Sequence, residues 1–509
     1  MTRRRMLQAG AAAVTAWAAG GCTPEGTPAS APTGPPRNGG TLRVGAIGKA
    51  AAIVRDPFGV QPNDSDYLIL SLLYDTVTIP AKSPLVAPRL ATRWEAGEDL
   101  RTWRFTLAEN VAFHDGSPCT AEDVAWSVRR LRQSEAGTSR LPGIDVSGIR
   151  AEGPRTLVIE SRYPNSRIPL LLRLTTFVQK KGTTDPAGAP GTGPFELDWF
   201  RDGNARLVRN DNWFGGEVHL DAIEVRMFDR TASMVNAVLT GEIDLASNAG
   251  AVAARTAGKR DGVQVVRRPD DTAHYVVMRT SDGPFADPRV REAVKLAVDR
   301  KALVDQAISG YGKPANDILG TGDPCYAKDI PQRERNIDRA RKLLDEAGFD
   351  RSRSYQLLTT EEIPGMAESA TLLANQLQEA GVKIDVRKQD QATFLGASRG
   401  KAPLYTSFYG TQDSVVFCAG KLLVSESKLN EAAWHDPAFD AAYQQVVSTA
   451  DDKRGAQLSH DLQQVQHERS GLLVWGAADG IDLASDKVGG LPDLPGYGRV
   501  QLERAWLSG

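Results

Sequence analysis

Segments with strand-like alternation and segments with helical periodicity follow one another along most of this chain, and that interleaving leaves few fold classes open. Strands are predicted where apolar residues alternate with others, at 41–45, 103–107, 156–160 and 382–386. Helices are predicted where apolar residues recur at helical spacing, at 120–131, 288–309, 338–347, 367–380 and 437–450. Interleaved strands and helices are typical of α/β domains, so an α/β fold is predicted.

Length and charge limit the function classes. The chain has 509 residues, with 61 Lys and Arg against 63 Asp and Glu, and its formal net charge is -2. This balance gives no general attraction for nucleic acid, so no nucleic-acid partner is expected. With 41% hydrophobic residues, the chain has enough apolar material for a large core. No apolar run reaches the roughly 20 residues that a membrane-spanning helix needs.

Residues 1–21 are typical of an export signal. A run of three arginines is followed by an uncharged, alanine-rich stretch at 9–21. The residues before Cys22 resemble a lipobox, although Ala19 stands where leucine is usual, and this implies cleavage before Cys22 and its lipidation. The start also resembles the twin-arginine export motif. Residues 22–38, rich in proline, are predicted to tether the protein to the outer face of the cytoplasmic membrane.

Several blocks, in order along the chain, resemble the signatures of the extracellular solute-binding proteins of ABC importers, family 5, the peptide and nickel type. The blocks are 89–94 (RLATRW), 111–124 (VAFHDGSPCTAEDV), 191–195 (GTGPF), 210–213 (NDNW), 241–244 (GEID) and 284–291 (PFADPRVR). Thr120 with Asp123 also forms a capping box at the start of a predicted helix. The glycines of GTGPF are expected at backbone positions with positive φ.

The resemblance implies a two-lobed periplasmic-binding-protein fold of type II, with an extra subdomain inserted in the first lobe. It assigns residues 39–80, 190–278 and 480–509 to the first lobe, 81–189 to the inserted subdomain and 279–479 to the second lobe. It also implies that a peptide or peptide-like solute binds between the lobes, that closure buries it, and that ABC permease subunits with cytoplasmic ATPases receive it. No catalysis, cofactor or metal is required, and a monomer is expected.

The resemblance also points to candidate ligand contacts in the second lobe. In peptide-binding relatives an aspartate there holds the ammonium of the ligand, because an unpaired buried charge is costly. Asp413 is predicted for that role, with Gln412 beside it and Tyr409 as an aromatic wall. Ser414 opens a stretch that departs from the Tyr-x-Asp-Pro common in relatives, which indicates a pocket not tuned to ordinary peptides.

Further candidates come from the first lobe and from the return to it. Asn63, Asp64 and Tyr67 follow the first strand, where the first lobe supplies ligand contacts in relatives. Trp475 lies in an apolar, strand-like stretch, where a core position and a ligand wall both remain open.

Two cysteines are predicted to form a disulfide. Cys22 is assigned to the lipid and Cys119 to a turn, which leaves Cys325 and Cys418 in loop-like contexts of the second lobe. The exported location is oxidising. A Cys325–Cys418 disulfide is therefore predicted, and it would pin the loop that carries Asp413.

Three other functions remain open at this stage. Ser425 and Lys428 match the SxxK pattern of penicillin-interacting enzymes, but no SDN or KTG motif follows. Some relatives bind nickel or a metal chelate, whereas the six histidines of this chain are scattered and form no evident metal site. A surface receptor or chaperone without a transporter is the third alternative.

Overall fold

A computed structural model describes residues 31–32, 34–61, 63–82, 85–257, 260–410, 414–494 and 501–509. The predicted signal peptide, Cys22 and most of the predicted tether lie outside these residues. The last two residues of the tether contact the folded body: Arg37 donates to the Ser508 carbonyl and Asn38 to the Glu217 carboxylate, both at 2.8 Å. Within the described ranges, no helix is both long enough and apolar enough to cross a membrane.

Strands and helices alternate along the chain, which confirms the predicted α/β class. The strands are β1 (Thr41–Ile47), β2 (Thr78–Pro80), β3 (Val86–Pro88), β4 (Ala91–Ala96), β5 (Thr102–Leu107), β6 (Arg150–Ala151), β7 (Thr156–Glu160), β8 (Phe195–Arg201), β9 (Asn204–Arg209), β10 (Ala222–Phe228), β11 (Leu245–Ala246), β12 (Val263–Met278), β13 (Gly312–Pro314), β14 (Ser354–Thr360), β15 (Lys383–Gln389), β16 (Leu404–Tyr409), β17 (Leu472–Ser485), β18 (Val488–Gly489) and β19 (Trp506–Leu507). The helices are α1 (Asp64–Leu73), α2 (Ala121–Gln133), α3 (Glu135–Arg140), α4 (Ile168–Leu171), α5 (Thr231–Leu239), α6 (Gly250–Ala257), α7 (Pro288–Leu296), α8 (Arg300–Ala307), α9 (Ile337–Glu346), α10 (Met366–Glu379), α11 (Gln391–Thr393), α12 (Val415–Leu422), α13 (Pro437–Val447) and α14 (Asp452–Arg469). Short turns of 3-10 helix lie at Ala50–Ala52 and Pro284–Ala286, and a π turn lies at Phe394–Ser398.

In the described part of the chain, eleven strands form one mixed sheet. Its order is β15-β14-β16-β12-β17-β11-β1-β10-β9-β8, and β13 pairs with β17 at the side. The strands β1, β10 and β11 run parallel to one another in what we call the first half, and β14 runs parallel to β15 and β16 in the second half. The antiparallel pair β12 and β17, of 16 and 14 residues, carries the sheet from one half to the other.

A separate antiparallel sheet, in the order β4-β5-β7-β6, stands apart from the main sheet. Trp103, Phe105 and Leu107 alternate along β5 and are all buried, as the sequence pattern predicts. The predicted capping box at the start of α2 is confirmed, since the Thr120 amide donates to the Asp123 carboxylate at 2.8 Å. We call these four strands with α2, α3 and α4 the subdomain.

The predicted single helix over 288–309 is wrong, because the chain forms two helices there. Helix α7 ends at Leu296, and α8 begins at Arg300. The Asp299 carboxylate accepts a hydrogen bond from the Ala302 amide at 2.9 Å, so it caps the second helix. An aspartate at this position satisfies amides that a continuous helix would bond internally, and it therefore marks a new start.

The glycines of the GTGPF block are needed for a reason other than the predicted one. Neither Gly191 nor Gly193 has a positive φ. A Cβ atom at Gly191 would lie 1.8 Å from the Leu73 carbonyl oxygen, and one at Gly193 would lie 2.4 Å from that of Leu72. Glycine is thus required by the close approach of this turn to the end of α1.

Each half and the subdomain have their own apolar core. Phe417 of α12 belongs to the second half but is buried among the core residues of the subdomain. The residue limits assigned to the lobes stay predictions: residue 278 is the last of β12, whereas residue 480 lies inside β17.

Candidate functional site

The candidate site lies where the carboxyl ends of parallel strands from the two halves face each other. β1 leads directly to Lys49 and β14 to Glu362, and the Lys49 ammonium lies 3.7 Å from the Glu362 carboxylate. Burial alone would raise the pKa of Glu362, but hydrogen bonds from Thr360 and from backbone amides, together with the charge of Lys49, outweigh it and lower that pKa. Open α/β sheets bind ligands at this edge, because the loops there converge.

Asn63 supports the loop that follows β1. The Lys49 amide donates to Asn63 Oδ1 at 3.0 Å, and Asn63 Nδ2 donates to the Lys49 carbonyl at 3.3 Å. The Asn63 side chain is buried. Both polar atoms of this side chain thus hold the backbone of Lys49, so Asn63 acts on the site through the loop.

Asp64 and Asn248 meet at the first-half side of the site. The Asn248 side chain donates to Asp64 Oδ2 at 3.3 Å, and the Asn248 amide donates to Asp482 Oδ1 at 2.7 Å. Asn248 follows β11 with a left-handed backbone, at φ 54°. Sequence reasoning missed this residue, because an isolated asparagine after a two-residue strand forms no motif.

The left-handed backbone of Asn248 gives a test of this local geometry. Asn248→Ala and Asn248→Gly both remove the bond to Asp64, but only alanine is strained at positive φ. We expect the alanine variant to have a free energy of unfolding about 1 kcal/mol below that of the glycine variant. Urea unfolding of the two proteins measures the difference, and equal stabilities would contradict a strained backbone at this position.

A buried ion network lies where β12 and β17 cross between the halves. Arg268 of β12 is fully buried and pairs with Asp482 of β17 and, at 3.3 Å, with Asp271. The register of β12 against β17 shifts between Arg268 and Thr272. Because Asp482 also accepts the amide of Asn248, the network ties the crossing strands to the first-half side of the site.

The second-half side of the site is formed by the end of β16 and by α12. The Lys421 ammonium lies 5.1 Å from the centre of the Tyr409 ring and 5.3 Å from that of Phe417. The guanidinium of Arg173, after α4, faces the same Phe417 ring at 5.5 Å. Helix α12 therefore joins the second half to the subdomain beside Tyr409.

Glu431 holds β16 in position next to the site. This buried carboxylate accepts hydrogen bonds from Ser407 at 2.7 Å, from Arg399 at 2.6 Å and from the Tyr275 hydroxyl at 3.3 Å. A buried carboxylate with three donors is well satisfied, so the role of this cluster is to position the strand.

Some predicted site residues lie at the candidate site, some lie outside the described residues, and two lie in the core. The structure brings Asn63 and Asp64 to one side of the site and Tyr409 to the other. Gln412 and Asp413, between β16 and α12, lie outside the described residues.

Tyr67, predicted as a ligand contact, is a core residue, and Trp475 takes the core position, one of the two roles left open for it. The Tyr67 side chain packs in the first-half core, and its hydroxyl donates to the Leu174 carbonyl at 2.7 Å. Trp475 is fully buried in the core of the second half and stacks on His274, with 5.3 Å between ring centres. Sequence pattern alone does not separate a core aromatic residue from a ligand wall, because both are apolar and enclosed.

The predicted Cys325–Cys418 disulfide is wrong. Cys325 is a free, exposed cysteine, whereas Cys418 is fully buried among apolar side chains on α12. The expected loop around Cys418 is a helix, and this turns its thiol inward. A hydrogen bond ties the Cys325 turn to α12 instead, since the Val415 amide donates to the Asp323 carboxylate at 2.8 Å.

Hydrolase patterns do not form an active site. Lys428 of the SxxK match is exposed, and the Ser425 amide is bonded to Asp440 at 2.9 Å. Sequence reasoning overlooked a GxSxG match at 396–400, but its Ser398 ends a π turn and donates to the side chain of Gln389 at 2.7 Å. A nucleophile elbow requires a strand-to-helix turn, so Ser398 does not form one.

The described residues also contain no group of three or more His, Cys, Asp or Glu placed to hold a metal ion.

Comparison with known proteins shows which sequence family the chain matches. The sequence family described as bacterial extracellular solute-binding proteins, family 5 Middle, matches residues 86–415. The probable di/tripeptide-binding protein 5 of Pseudomonas aeruginosa is 25% identical over 475 residues, which cover 85% of this chain and 89% of that protein.

Two solved structures share the fold. The periplasmic binding protein DppA of Helicobacter pylori, in complex with the peptide STSA, superposes with a TM-score of 0.81 at 18% identity, over 93% of this chain and 99% of that one. NikZ of Campylobacter jejuni, in complex with Ni(L-His), superposes with a TM-score of 0.79 at 16% identity, over 92% and 99%. These superpositions confirm the predicted type II architecture of periplasmic binding proteins.

Proposed function

Because the chain belongs to the bacterial extracellular solute-binding proteins of family 5, we propose that it captures a peptide or peptide-like solute between its two halves and delivers it to the permease of an ABC importer. Members of this family bind solutes and are not enzymes, and they work outside the cytoplasm. A relative named as a di/tripeptide-binding protein, which aligns with most of both chains, supports a peptide ligand.

The observation that carries the proposal is the contact between strand ends of the two halves. Lys49 and Glu362 meet across the site, and neither side chain is fully buried. Tyr409 and Lys421 lie on the second-half side, where an extended ligand would find an aromatic face and a cation. A solute held there would touch both halves at once.

The crossing strands β12 and β17 provide the mechanical link. A solute favours the closed arrangement only as far as it binds that arrangement better than the open one. Contacts made with both halves satisfy this condition, because they exist only when the halves are together. The permease would then recognise the closed body.

Asp413 is proposed to hold the ammonium of the ligand, with Gln412 and Tyr409 beside it. Asp64 is proposed to contact the ligand from the first half, and Asn63 to act by holding Lys49. A carboxylate suits an ammonium because buried charges need an opposite charge or several hydrogen bonds.

Anchoring and assembly are proposed as well. Cys22 carries the lipid, residues 22–38 reach from the membrane surface to the body, and export follows the twin-arginine route. We propose that the protein is a monomer without a cofactor and that its lobes have the residue limits stated above. The ATPases of its importer would lie on the cytoplasmic side of the membrane.

A thermal-shift panel tests the proposed function. Ligands that bind only the native state raise its stability, by about 2.7 kcal/mol at a concentration of about 100 times Kd. The panel contains unmodified di- to pentapeptides, the same peptides with acetylated N-termini, and Ni(II) with L-histidine. Stabilisation by peptides supports the proposal. Stabilisation by the nickel chelate alone would replace peptide with chelate as the solute, and no response to any member would contradict both.

Asp413→Asn tests the proposed ammonium contact. We expect the affinity for peptides with a free N-terminus to fall about tenfold or more, since a charge-assisted hydrogen bond is lost. The affinity for acetylated peptides is expected to stay the same, because they carry no ammonium. Calorimetry on both peptide sets measures this, and an equal loss on both sets would refute the assigned role.

A further inference from the structure

The subdomain touches the second half at a place that the candidate site does not include. The contact is made by residues 163–167, between β7 and α4, which we call the latch segment. The Ser166 amide donates to the Val447 carbonyl at 2.6 Å, and the Ser448 hydroxyl donates to the Pro164 carbonyl at 3.2 Å. Val447 ends α13, and carbonyls in the last turn of a helix have no partner within that helix. The latch segment therefore supplies a donor to the end of α13.

The subdomain holds the latch segment in shape through Asn165. This residue is buried, and its Oδ1 accepts a hydrogen bond from the Arg167 amide at 2.8 Å. The Asn165 carbonyl accepts the indole N–H of Trp103 on β5 at 2.9 Å, and the Asn165 amide donates to the Leu100 carbonyl at 2.9 Å. A segment that is fixed before it docks loses little entropy on docking. The latch segment is thus preorganised to meet α13.

Apolar packing accompanies these hydrogen bonds. Tyr163 of the latch segment packs against the apolar cluster to which Tyr443, Val446 and Val447 of α13 belong. Gly143 of the subdomain leaves room for the Tyr163 ring, since a Cβ atom at Gly143 would lie 2.5 Å from that ring. Removal of this apolar surface from water favours the contact between the subdomain and α13.

Opposite charges face each other beside the latch segment. Burial, followed by the negative charge of Glu426 in the second half, raises the pKa of Tyr163. The charge of Glu426 also acts on Arg132 of α2, and both Arg132 and Arg162 counteract it at Tyr163. Glu426 and Arg162 are exposed, so water and ions screen their attraction and make it modest. These charges therefore assist the hydrogen bonds and do not replace them.

The chain connectivity indicates which parts can separate at this contact. The chain enters the subdomain after α1 and leaves it before β8, and both elements pack in the core of the first half. The subdomain is thus attached to the first half at both of its ends. The second half is joined to the first half through β12 and β17. Movement about these crossing strands would therefore separate the latch segment from α13.

The contact also has a cost. The Ser166 hydroxyl and Nε of the Arg167 guanidinium are buried without a hydrogen-bond partner among the described residues. Each of these polar atoms loses its bond to water on burial, and no protein group replaces that bond. The favourable contacts of the latch segment are thus partly offset, which suits a contact that opens and closes.

We propose that the latch segment and the end of α13 form a latch that stabilises the closed arrangement through contacts that the solute does not make. The inference rests on the proposed function, because it requires the two halves to close around a solute. The latch would set the fraction of the protein that is closed without solute. The apparent affinity falls in proportion to the fraction in the binding-competent state. Loss of the latch should therefore weaken the binding of different solutes by the same factor.

A bulky side chain at Ser448 tests the latch, because it would hold the latch segment away from α13. Calorimetry on the purified full chain measures the binding of the peptides Ala-Ala-Ala and Leu-Leu-Leu. Ser448→Trp should bind both peptides about tenfold more weakly than the wild type. Ser448→Ala removes only the bond to Pro164 and should lose about threefold. Ala450→Trp is the matched control, because Ala450 is exposed two residues along the chain, and it should bind like the wild type.

Small-angle X-ray scattering of the solute-free proteins gives a second readout that needs no ligand. Ser448→Trp should have a larger radius of gyration than the wild type, because opening separates the halves, and Ala450→Trp should not. Urea midpoints equal to that of the wild type would show that the larger radius reports opening and not unfolding. Should Ser448→Trp unfold, Ser448→Ala decides the inference by the same two measurements.

The results separate the latch from the function on which it rests. If the wild type binds the peptides and both Ser448 variants match it in affinity and radius of gyration, the latch is refuted and peptide capture stands. A loss confined to one peptide would place Ser448 at the solute and would also refute the latch. If neither peptide binds the wild type, peptide capture fails for these ligands, and the radius of gyration decides. A larger radius for Ser448→Trp then supports the latch, and an equal radius overturns it.

Discussion

Replacing Arg268 with alanine is expected to lower the free energy of unfolding by about 3–5 kcal/mol. The substitution leaves Asp271 and Asp482 buried without their cation, and an uncompensated charge in the interior is costly. Urea unfolding followed by far-UV circular dichroism measures the loss. Because Asp482 also accepts the amide of Asn248, we expect weaker solute binding in the fraction that stays folded.

The adjacent Arg267 provides the matched control for this prediction. Its side chain is about half exposed and pairs with Asp479 of β17, whose own side chain is largely buried. Water reaches the half-exposed Arg267 but hardly reaches Asp479, so Arg267→Ala should lower stability by about 1–2 kcal/mol, less than Arg268→Ala. A similar loss for both variants would show that burial of the Arg268 network is not the cause.

Replacing Asp317 with asparagine is expected to have a comparable effect, about 3–5 kcal/mol at pH 7. Asp317 is fully buried and accepts bonds from Arg300 and Arg333, both at 2.8 Å, with Lys295 nearby. Burial would raise the pKa of Asp317, but these three cations outweigh it and lower the pKa to about 2. Asparagine keeps the shape but removes the counter-charge of the buried Arg300, whereas Arg333 keeps its pair with Glu292 at 2.5 Å.

The low pKa of Asp317 also predicts how this loss depends on pH. An unfolded aspartate has a pKa of about 3.9. The stabilisation from the folded value near 2 is therefore complete above about pH 5 and disappears as the pH falls toward 2. The stability difference between wild type and Asp317→Asn should shrink between pH 5 and pH 3, as urea unfolding at each pH would measure.

Asp305 is the control for Asp317. It pairs with Lys301 on the surface of α8, at i,i+4 spacing, and both side chains are at least half exposed. Asp305→Asn should change stability by about 0.5 kcal/mol or less. A pH-independent penalty for Asp317→Asn would mean that lost packing, and not lost charge, causes its effect.

Local sequence pattern predicted the elements that depend on neighbouring residues. Alternation along Trp103, Phe105 and Leu107 corresponds to β5, and the Thr120–Asp123 capping box starts α2. The same reasoning joined α7 and α8 into one helix, because apolar periodicity continues past Asp299 while the cap interrupts the backbone. Periodicity reports which face is buried, and a cap acts on hydrogen bonds that periodicity does not describe.

The site was only partly predictable. Asp64 and Tyr409 lie on its two sides, and their roles as ligand contacts stay predictions. Lys49, Asn248, Glu362 and Lys421 carry no motif and were missed. Tyr67 and Trp475 have the apolar, enclosed character of a ligand wall, but neighbouring elements cover them completely or nearly so.

The sequence by itself determined the α/β class, the export signal as a prediction, and the family, because these depend on local periodicity and on the order of short motifs. Only the tertiary structure decided that Arg268 meets Asp482 across 214 positions of chain, that Cys418 turns inward, and that Lys421 lies beside the ring of Tyr409. These facts depend on which elements pack together. The energy of a charge depends on the burial and the partners that such packing provides, and neither is encoded in its neighbours along the chain.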